Sequence, residues 1–299
     1  MANPPPPQQP RPALAQDLWL GPLRLGARLE RWPPAWLARA RALGAHAVEL
    51  PPPLEASPAE LAAVLDGHGL ALAGAACAGG LLELSQAAER QRLAPLLERS
   101  LAAGNPLLLY TEFSRQIRDD DIATLADRPR LRHDDLRRYG EQLTRLADWL
   151  AGEGGRLAYL PRPGTVIDGA AEIDLLLDAT DTSVGLALDS GAVALADAEN
   201  DLAALLLRHR ARLRHLRLQA VDPERLERAR AQGWSCRRLL AEVPAPPRPD
   251  MASPEPALLA AALREIGYEG WLVAASERRQ ADPEAAAAAA LEALAACLP

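Results

Sequence analysis

Beyond a proline-rich start, short apolar runs alternate along the chain with longer stretches whose apolar residues recur every three or four positions. The first pattern predicts strands and the second amphipathic helices. LWLGPLRLGA (18–27) reads as a strand, and PPAWLARARALG (33–44) as a helix opened by Pro and closed by Gly. HAVEL (46–50) is a strand, and SPAELAAVLDGHG (57–69) a helix whose Ser57 and Glu60 form a capping box. LALAGAA (70–76) precedes a helix over 86–103, and PLLLYTE (106–112) precedes one over 134–154. RLAYL (156–160) with the helix 170–179, and SVGLALD (183–189) with the helix 202–210, continue the alternation. HLRLQAV (215–221) is the seventh strand, setting Leu216 and Leu218 on one face and His215, Arg217 and Gln219 on the other. An excursion with two short helices and the proline run VPAPPRPD (243–250) follows it. The helix 255–267, the strand GWLVAAS (270–276) and the helix 283–298 close the chain.

Eight strands each followed by a helix predict a (β/α)8 TIM barrel, an α/β fold in which active sites sit where the strands end. An open doubly wound sheet is the competing architecture, but no strand is followed by G-x-G-x-x-G. The expected division is a disordered Pro-rich tail over 1–14 and a single barrel domain over 15–299.

Composition narrows the chemistry. All 33 basic residues of the 299 are Arg. Without a lysine amine no Schiff base can form with a carbonyl substrate or with pyridoxal phosphate, and a P-loop cannot be built. The formal net charge is −7, and no basic stretch is interleaved with aromatics, which argues against nucleic acid as a partner. Three widely spaced cysteines, Cys77, Cys236 and Cys297, suit reduced thiols in a cytoplasm, the expected location. The start MANPPPPQQPRP lacks the basic and apolar regions of a signal peptide, and no apolar run reaches the length of a membrane span.

The strand ends carry Glu49, Glu112, Arg162, Asp189, Arg217 with Gln219, and Ser276 with Glu277. Unpaired burial of such charges costs several kcal/mol, about 3–5 when a partner is removed, so water, one another, a metal or a polar ligand is expected among them. Glu49, followed by prolines, reads as a solvated carboxylate, and His215 as packed in the barrel interior. Glu112 reads either as a general base or hydroxyl clamp, or as a partner of Arg115 or Arg118. Trp149, Trp234 and Trp271 read as core or rim packing, and His133 as exposed.

LLLYTEFSRQI (107–117), ADRPRL (126–131), YGEQLTRLADWLA (139–151), RLAYLPRPGTV (156–166), AEIDLLLDAT (171–180), LALDSGAVALA (186–196) and GYEGWLV (267–273) together are similar to the inosose dehydratases. These belong to the xylose-isomerase-like sugar isomerase and epimerase barrels, and the similarity runs collinearly from about residue 17 to the C-terminus. The resemblance implies a lyase or isomerase of the barrel type. It also implies a divalent metal held by carboxylates and histidines at the ends of strands five to eight, polarising a sugar hydroxyl or carbonyl.

This chain departs from that pattern. After strand five the family's histidine-rich turn is Leu160-Pro161-Arg162. Strand six keeps its acid, Asp189, but the following histidine is Ala192. On strand seven, H-x-H followed by Lys-Asp reads His215, Arg217, Gln219 and Ala220. On strand eight the metal carboxylate falls at Ala275, with Glu277 nearby. Arginine offers no lone pair, so no metal or other cofactor is expected, Asp189 being the one clear surviving ligand.

Arg217 is expected either to take the cation's place and offer its guanidinium to Asp189, Glu112 or Glu277, or to bind an anionic ligand. The candidate catalytic residues are Glu112, Asp189, Arg217 and Glu277. Arg115, Arg162, Gln219 and Ser276 are candidate ligand contacts, with Arg128 of the charged loop 115–135 beside them. The expected partners are a small polar ligand such as a polyol, keto-sugar or sugar acid, and a homo-oligomer or a hetero-oligomer with an active paralogue. Neither nucleic acid nor a membrane is among them.

Overall fold

The structure is a computed structural model that describes residues 10–15, 17–20, 34–50, 56–196, 201–250, 255–276, 278 and 280–298. Its strands are β1 (Arg11–Ala15), β2 (Ala47–Leu50), β3 (Ala71–Gly79), β4 (Leu107–Glu112), β5 (Arg156–Tyr159), β6 (Val184–Asp189), β7 (Leu213–Leu218), β8 (Ala220–Val221), β9 (Pro244–Ala245) and β10 (Trp271–Ala274). The helices are α1 (Asp17–Leu20), α2 (Pro34–Ala42), α3 (Pro58–His68), α4 (Gln86–Ala102), α5 (His133–Gly152), α6 (Ala170–Asp178), α7 (Ser190–Ala196), α8 (Leu202–Arg208), α9 (Pro223–Ala231), α10 (Cys236–Glu242), α11 (Pro256–Ile266) and α12 (Pro283–Cys297). Eight parallel strands close into a barrel in the order β1-β10-β7-β6-β5-β4-β3-β2, while β8 and β9 form a separate antiparallel pair. The expected TIM barrel is the fold.

The start of the chain differs from expectation. The first strand is RPALA, not 18–27; Asp17–Leu20 is helical, and 21–27 lie outside the described residues. Residues 11–14, assigned above to the tail, pair with β10 and β2 and so belong to the barrel. The apolar period of LWLGPLRLGA drew the reading downstream, whereas the alanines of RPALA are a weak strand signal that only barrel closure makes decisive. The helix α7 was also unanticipated, as was the break between β7 and β8.

Period two along the strands sorts residues between two layers. Leu14, Val48, Leu72, Leu108, Tyr110, Leu157, Tyr159, Leu186, Leu188, Leu216 and Leu218 join one buried cluster with the inner faces of the helices, such as Leu61, Leu93, Leu143 and Leu176. Each such leucine, removed from water, contributes about 1.5–3 kcal/mol. Inside the barrel, on the side of β1, β2 and β3, alanines predominate: Ala13, Ala15, Ala47, Ala73 and Ala275 pack with Val273 and Trp271. The Ser57–Glu60 capping box forms as expected, and Gly69 closes α3 at φ 62°. Gly79 is required for a different reason. A Cβ there would fall 2.1 Å from the Tyr110 ring.

Two register shifts set the site. One falls between Val48 and Glu49 on β2, the other between Leu186 and Ala187 on β6. Beyond the second, His215 lies opposite Ala187 and Arg217 opposite Asp189. The extra residue on β7, Arg214, is thereby accommodated on the outside, and the irregularity re-aims the strand's inward side chains.

The excursion after β7 builds a satellite core from Leu195, Val221, Leu226, Trp234, Cys236, Leu239 and Val243, with Ile117 and Leu125 packed against it. The amide of Cys236 donates to Ala123, and Thr124 bridges Ser235. The connections after β4 and β7 thus pack on each other at the end of the barrel where strands finish.

Candidate functional site

The alanine lining of β1, β2 and β3 leaves room inside the barrel, and the long side chains of β7 fill it. The His215 imidazole reaches across to Glu49, Nε2 to Oε2 being 2.9 Å. Since an ionised carboxylate only accepts, Nε2 carries the proton of that bond. Arg217 lies one pleat nearer the mouth. Its Nη2 donates to Asp17 Oδ2 at 2.6 Å, and its Nε stands 3.7 Å from Glu49 Oε2 and 3.8 Å from Asp189 Oδ2. Arg162 adds a second guanidinium, with Nη1 3.7 Å from the same Asp189 oxygen. Asp17, Glu49, Asp189, His215 and Arg217 are each 8% exposed or less, so their charges answer one another rather than water.

Local structure orients each acid. Asp189 ends β6 and its Oδ1 accepts from the amides of Gly191 and Ala192 in the first turn of α7. Asp17 opens α1, and its Oδ1 accepts from the amide of Ser276 just past β10. Burial alone would push the Glu49 carboxyl upward. Arg217, the His215 hydrogen bond and Arg162 together outweigh that and hold it below the ordinary carboxylate value.

The structure brings four of the candidates to this mouth: Asp189, Arg217, Arg162 and Ser276. Two expectations change. Glu49 is not solvated but buried and paired, and Asp17, which carried no assignment, lies 2.6 Å from Arg217, nearer than Glu49 or Asp189. The signal that finds Asp17 is its place two residues past β1, available only once that strand is set at 11–15. Of the partners expected for Arg217, Asp189 is observed. Glu112 is placed elsewhere, and Glu277 lies outside the described residues.

Glu112 shares its strand parity with Leu108 and Tyr110, the face turned to the helices. Its Oε1 accepts from the Ser114 amide at 3.0 Å and from the Ser114 hydroxyl, and its Oε2 from the amide of Leu82 and the Tyr110 hydroxyl, both at 3.4 Å. Burial pushes this carboxyl upward; the Ser114 and Leu82 bonds oppose the shift, and Glu89 adds to it. Glu89 itself is buried and is bound by Arg92 and the Gly80 amide. These residues form a second polar cluster behind β4, and hydrogen bonds rather than the expected Arg115 or Arg118 pairing account for the Glu112 carboxylate.

Local contacts also engage Gln219, Ser276 and Arg128. Gln219 exchanges backbone hydrogen bonds with the Ser190 hydroxyl and packs against Gly191. The Ser276 hydroxyl donates to the Arg278 carbonyl and accepts from Gln280. Arg115 is exposed. Arg128 is bound to Asp168 at 3.1 Å and also to Glu172, pinning the loop after β4 to the turn before α6. Trp271 packs inside the barrel, Trp234 lies under Arg238 at 3.8 Å from ring centroid to Cζ, and Trp149 under Arg90 at 5.7 Å.

A divalent ion needs several lone-pair donors around one point, and here that point holds a guanidinium. The carboxylates of Asp17, Glu49 and Asp189 face Arg217 instead of converging on each other. Among the described residues no group of three or more His, Cys, Asp or Glu side chains is placed to hold a metal. Among the described residues, the donor set does not fit a divalent cation. Among the described residues, too, no helix is long and apolar enough to cross a membrane.

A model of the xylose isomerase-like TIM barrel family matches residues 37–297. The chain belongs to that family. The rhizopine catabolism protein MocC of Rhizobium meliloti is 32% identical over 253 residues, covering 83% of this chain and 76% of that protein. An inosose dehydratase of Mesomycoplasma hyopneumoniae (strain 7448) is 25% identical over 189 residues, 61% of each chain. Among solved structures, the probable 3-DHS dehydratase AsbF of Bacillus anthracis has a TM-score of 0.67 at 12% identity, covering 95% of this chain and 98% of that one. An L-ribulose 3-epimerase has a TM-score of 0.68 at 14% identity, covering 96% and 94%. These two likenesses carry the fold alone. The xylose isomerase-like TIM barrel family suggests sugar isomerase, epimerase or inosose dehydratase-like function, and is generally metal-dependent.

Proposed function

We propose that this xylose isomerase-like barrel has lost metal-dependent catalysis and binds a polyol, keto-sugar or sugar acid at its mouth, alone or as the partner of an active relative. The observation that carries this reading is the position of the Arg217 guanidinium amid Asp17, Glu49 and Asp189. In that arrangement the chain's own cation pairs with the carboxylates but cannot accept a substrate oxygen as a ligand, so it does not supply the electrophile of a metal-assisted lyase or isomerase. Carboxylates and guanidinium groups together supply both acceptors and donors for vicinal hydroxyls, which suits a polyol. The likeness to MocC and to inosose dehydratase supports a cyclitol or related sugar as the first class to test. Thermal-shift and calorimetric titration with inositols, inososes and sugar acids tests it. Saturable one-to-one binding that is lost in Arg162→Ala supports the reading, and the absence of binding to every member of the panel overturns it.

A second reading keeps an active enzyme, an inosose dehydratase or sugar isomerase or epimerase. Arg217 would stabilise an enolate oxyanion electrostatically, with Glu277 or Glu112 removing the proton. Glu112 faces the helices behind β4 and not the Arg217 mouth, so this reading leans on Glu277 as the base. Dehydration of an inosose that persists in chelator but disappears in Arg217→Ala supports this second reading.

A further inference from the structure

We infer that Arg156, Arg212 and Arg214 form an anion site at the end of the barrel opposite the mouth, one that takes a dianionic phosphate group. Arg156 opens β5, Arg212 stands just before β7 and Arg214 lies on it, so the three flank the start of β6. Gly185 on β6 lets them gather: a Cβ there would fall 2.5 Å from Arg214 Cγ and 3.3 Å from the Arg212 carbonyl. Among the described residues, none of the three guanidinium groups meets a carboxylate within ion-pair distance. Arg156 Nη2 donates to Asn105 Oδ1, Arg214 Nη1 to the Ala211 and Leu213 carbonyls, and Arg212 to Val184, Leu177 and Thr180, all neutral oxygens. Elsewhere exposed arginines find acids, as Arg208 does at Asp174 and Arg237 at Asp121.

Burial, and then the Arg214 charge, hold the Arg156 and Arg212 guanidinium groups below their ordinary value, although Asp181 pulls Arg212 the other way from beyond ion-pair distance. The cations feel one another, and an anion between them relieves that repulsion. Neutral oxygens already set their orientation, which lowers the ordering cost of binding. Arg214 donates only from Nη1, so its Nε–Nη2 edge is open for the paired hydrogen bonds that grip an oxyanion. Three cations suit a phosphate dianion better than a single carboxylate, and planar guanidinium groups match its oxygens. Arg214 and Arg217 are three residues apart on β7, about 10 Å, with the buried His215–Glu49 pair between them. The site is therefore separate from the mouth, and the inference does not depend on the proposed function.

The test is calorimetric titration of inorganic phosphate, and separately of glucose 6-phosphate, into full-length protein at slightly alkaline pH, where phosphate is mostly dianionic. It is run on wild type, Arg156→Gln, Arg214→Gln, Arg162→Ala at the mouth, and Arg132→Gln at the start of α5. Arg156 and Arg214 are exposed, so neither substitution disturbs the core. Wild type is expected to bind one phosphate and to melt at a higher temperature in its presence. Arg156→Gln and Arg214→Gln are each expected to weaken that binding about 10-fold, the effect of losing charge-assisted hydrogen bonds. Arg132→Gln and Arg162→Ala are expected to keep wild-type affinity for inorganic phosphate. Tighter binding of glucose 6-phosphate points to a phosphorylated metabolite, and tighter binding of inorganic phosphate to the free ion; either order supports the site. No saturable binding of either probe overturns the inference, as does binding that survives both Arg156→Gln and Arg214→Gln. Phosphate binding weakened equally in Arg132→Gln marks a diffuse charge effect, and binding lost in Arg162→Ala places the anion at the mouth; both overturn it.

Discussion

Replacing Arg217 with Met keeps an apolar stem of similar length and removes the charge. At an effective dielectric near 20, the Asp17 contact at 2.6 Å is worth about 6 kcal/mol and those to Glu49 and Asp189 about 4 kcal/mol each. Desolvation of the guanidinium offsets most of that attraction in the intact protein. What the variant feels is mainly the uncompensated charge it leaves behind, about 3–5 kcal/mol for a broken buried pair. Urea unfolding at neutral pH, followed by far-UV and tryptophan signals together, should show a loss of that size.

The dependence on pH supplies a sharper readout. In wild type Glu49 titrates below its ordinary value of 4.5, so its contribution is full above that value and is lost as pH falls through the lower folded one. In Arg217→Met the main cause of lowering is gone, while His215 and Arg162 remain, so the folded carboxyl rises from its wild-type position. Its stabilising contribution is then smaller. The deficit relative to wild type should therefore be full at neutral pH and shrink as pH falls through the variant's raised folded value. A variant within about 0.5 kcal/mol of wild type at pH 7, the scatter of an ordinary surface change, would refute the assignment of Arg217 as the counter-cation.

Gly79→Ala sets a Cβ into the Tyr110 ring, so stability should fall by about 1–3 kcal/mol, the usual cost of overpacking, with a matching shift of the urea midpoint. Burial pushes the Asp168 carboxyl up to about 6 against the pull of Arg128, above its ordinary 3.8. Its contribution is therefore greatest below 3.8 and declines as pH rises through 6, and Asp168→Asn should flatten that slope in stability measured from pH 4 to 7. Cys77, Cys236 and Cys297 are buried, with the Cys77 thiol pushed up to about 12 by burial. A colorimetric thiol reagent at pH 8 should find them silent in the native protein and count three per chain in denaturant.

The barrel itself was readable from periodicity. Seven of its strands fall where short apolar runs occur, because a strand buried on both faces is apolar along most of its length. The exception is instructive. RPALA has too little hydrophobicity to stand out beside LWLGPLRLGA, and it is a strand because β2 and β10 need an edge partner to close the ring. Residue types likewise announced that Arg217 and Asp189 share the mouth, since alternation along β7 could aim Arg217 only inward or into a leucine layer. Lysine's absence ruled out Schiff-base chemistry with no structure needed.

Partner choice was decided by tertiary structure alone. Asp17 and Arg217 are 200 positions apart, and no local pattern encodes a contact at 2.6 Å across a barrel. Glu49 looked like a solvated acid until the alanines of β1 to β3 left a space that only the long residues of β7 could fill. Glu112 looked like a mouth residue until its parity with Tyr110 turned it toward the helices. A sequence fixes which side chains carry charge and which face of a strand they occupy; the closure of the ring and the sizes of opposing residues decide which charges meet.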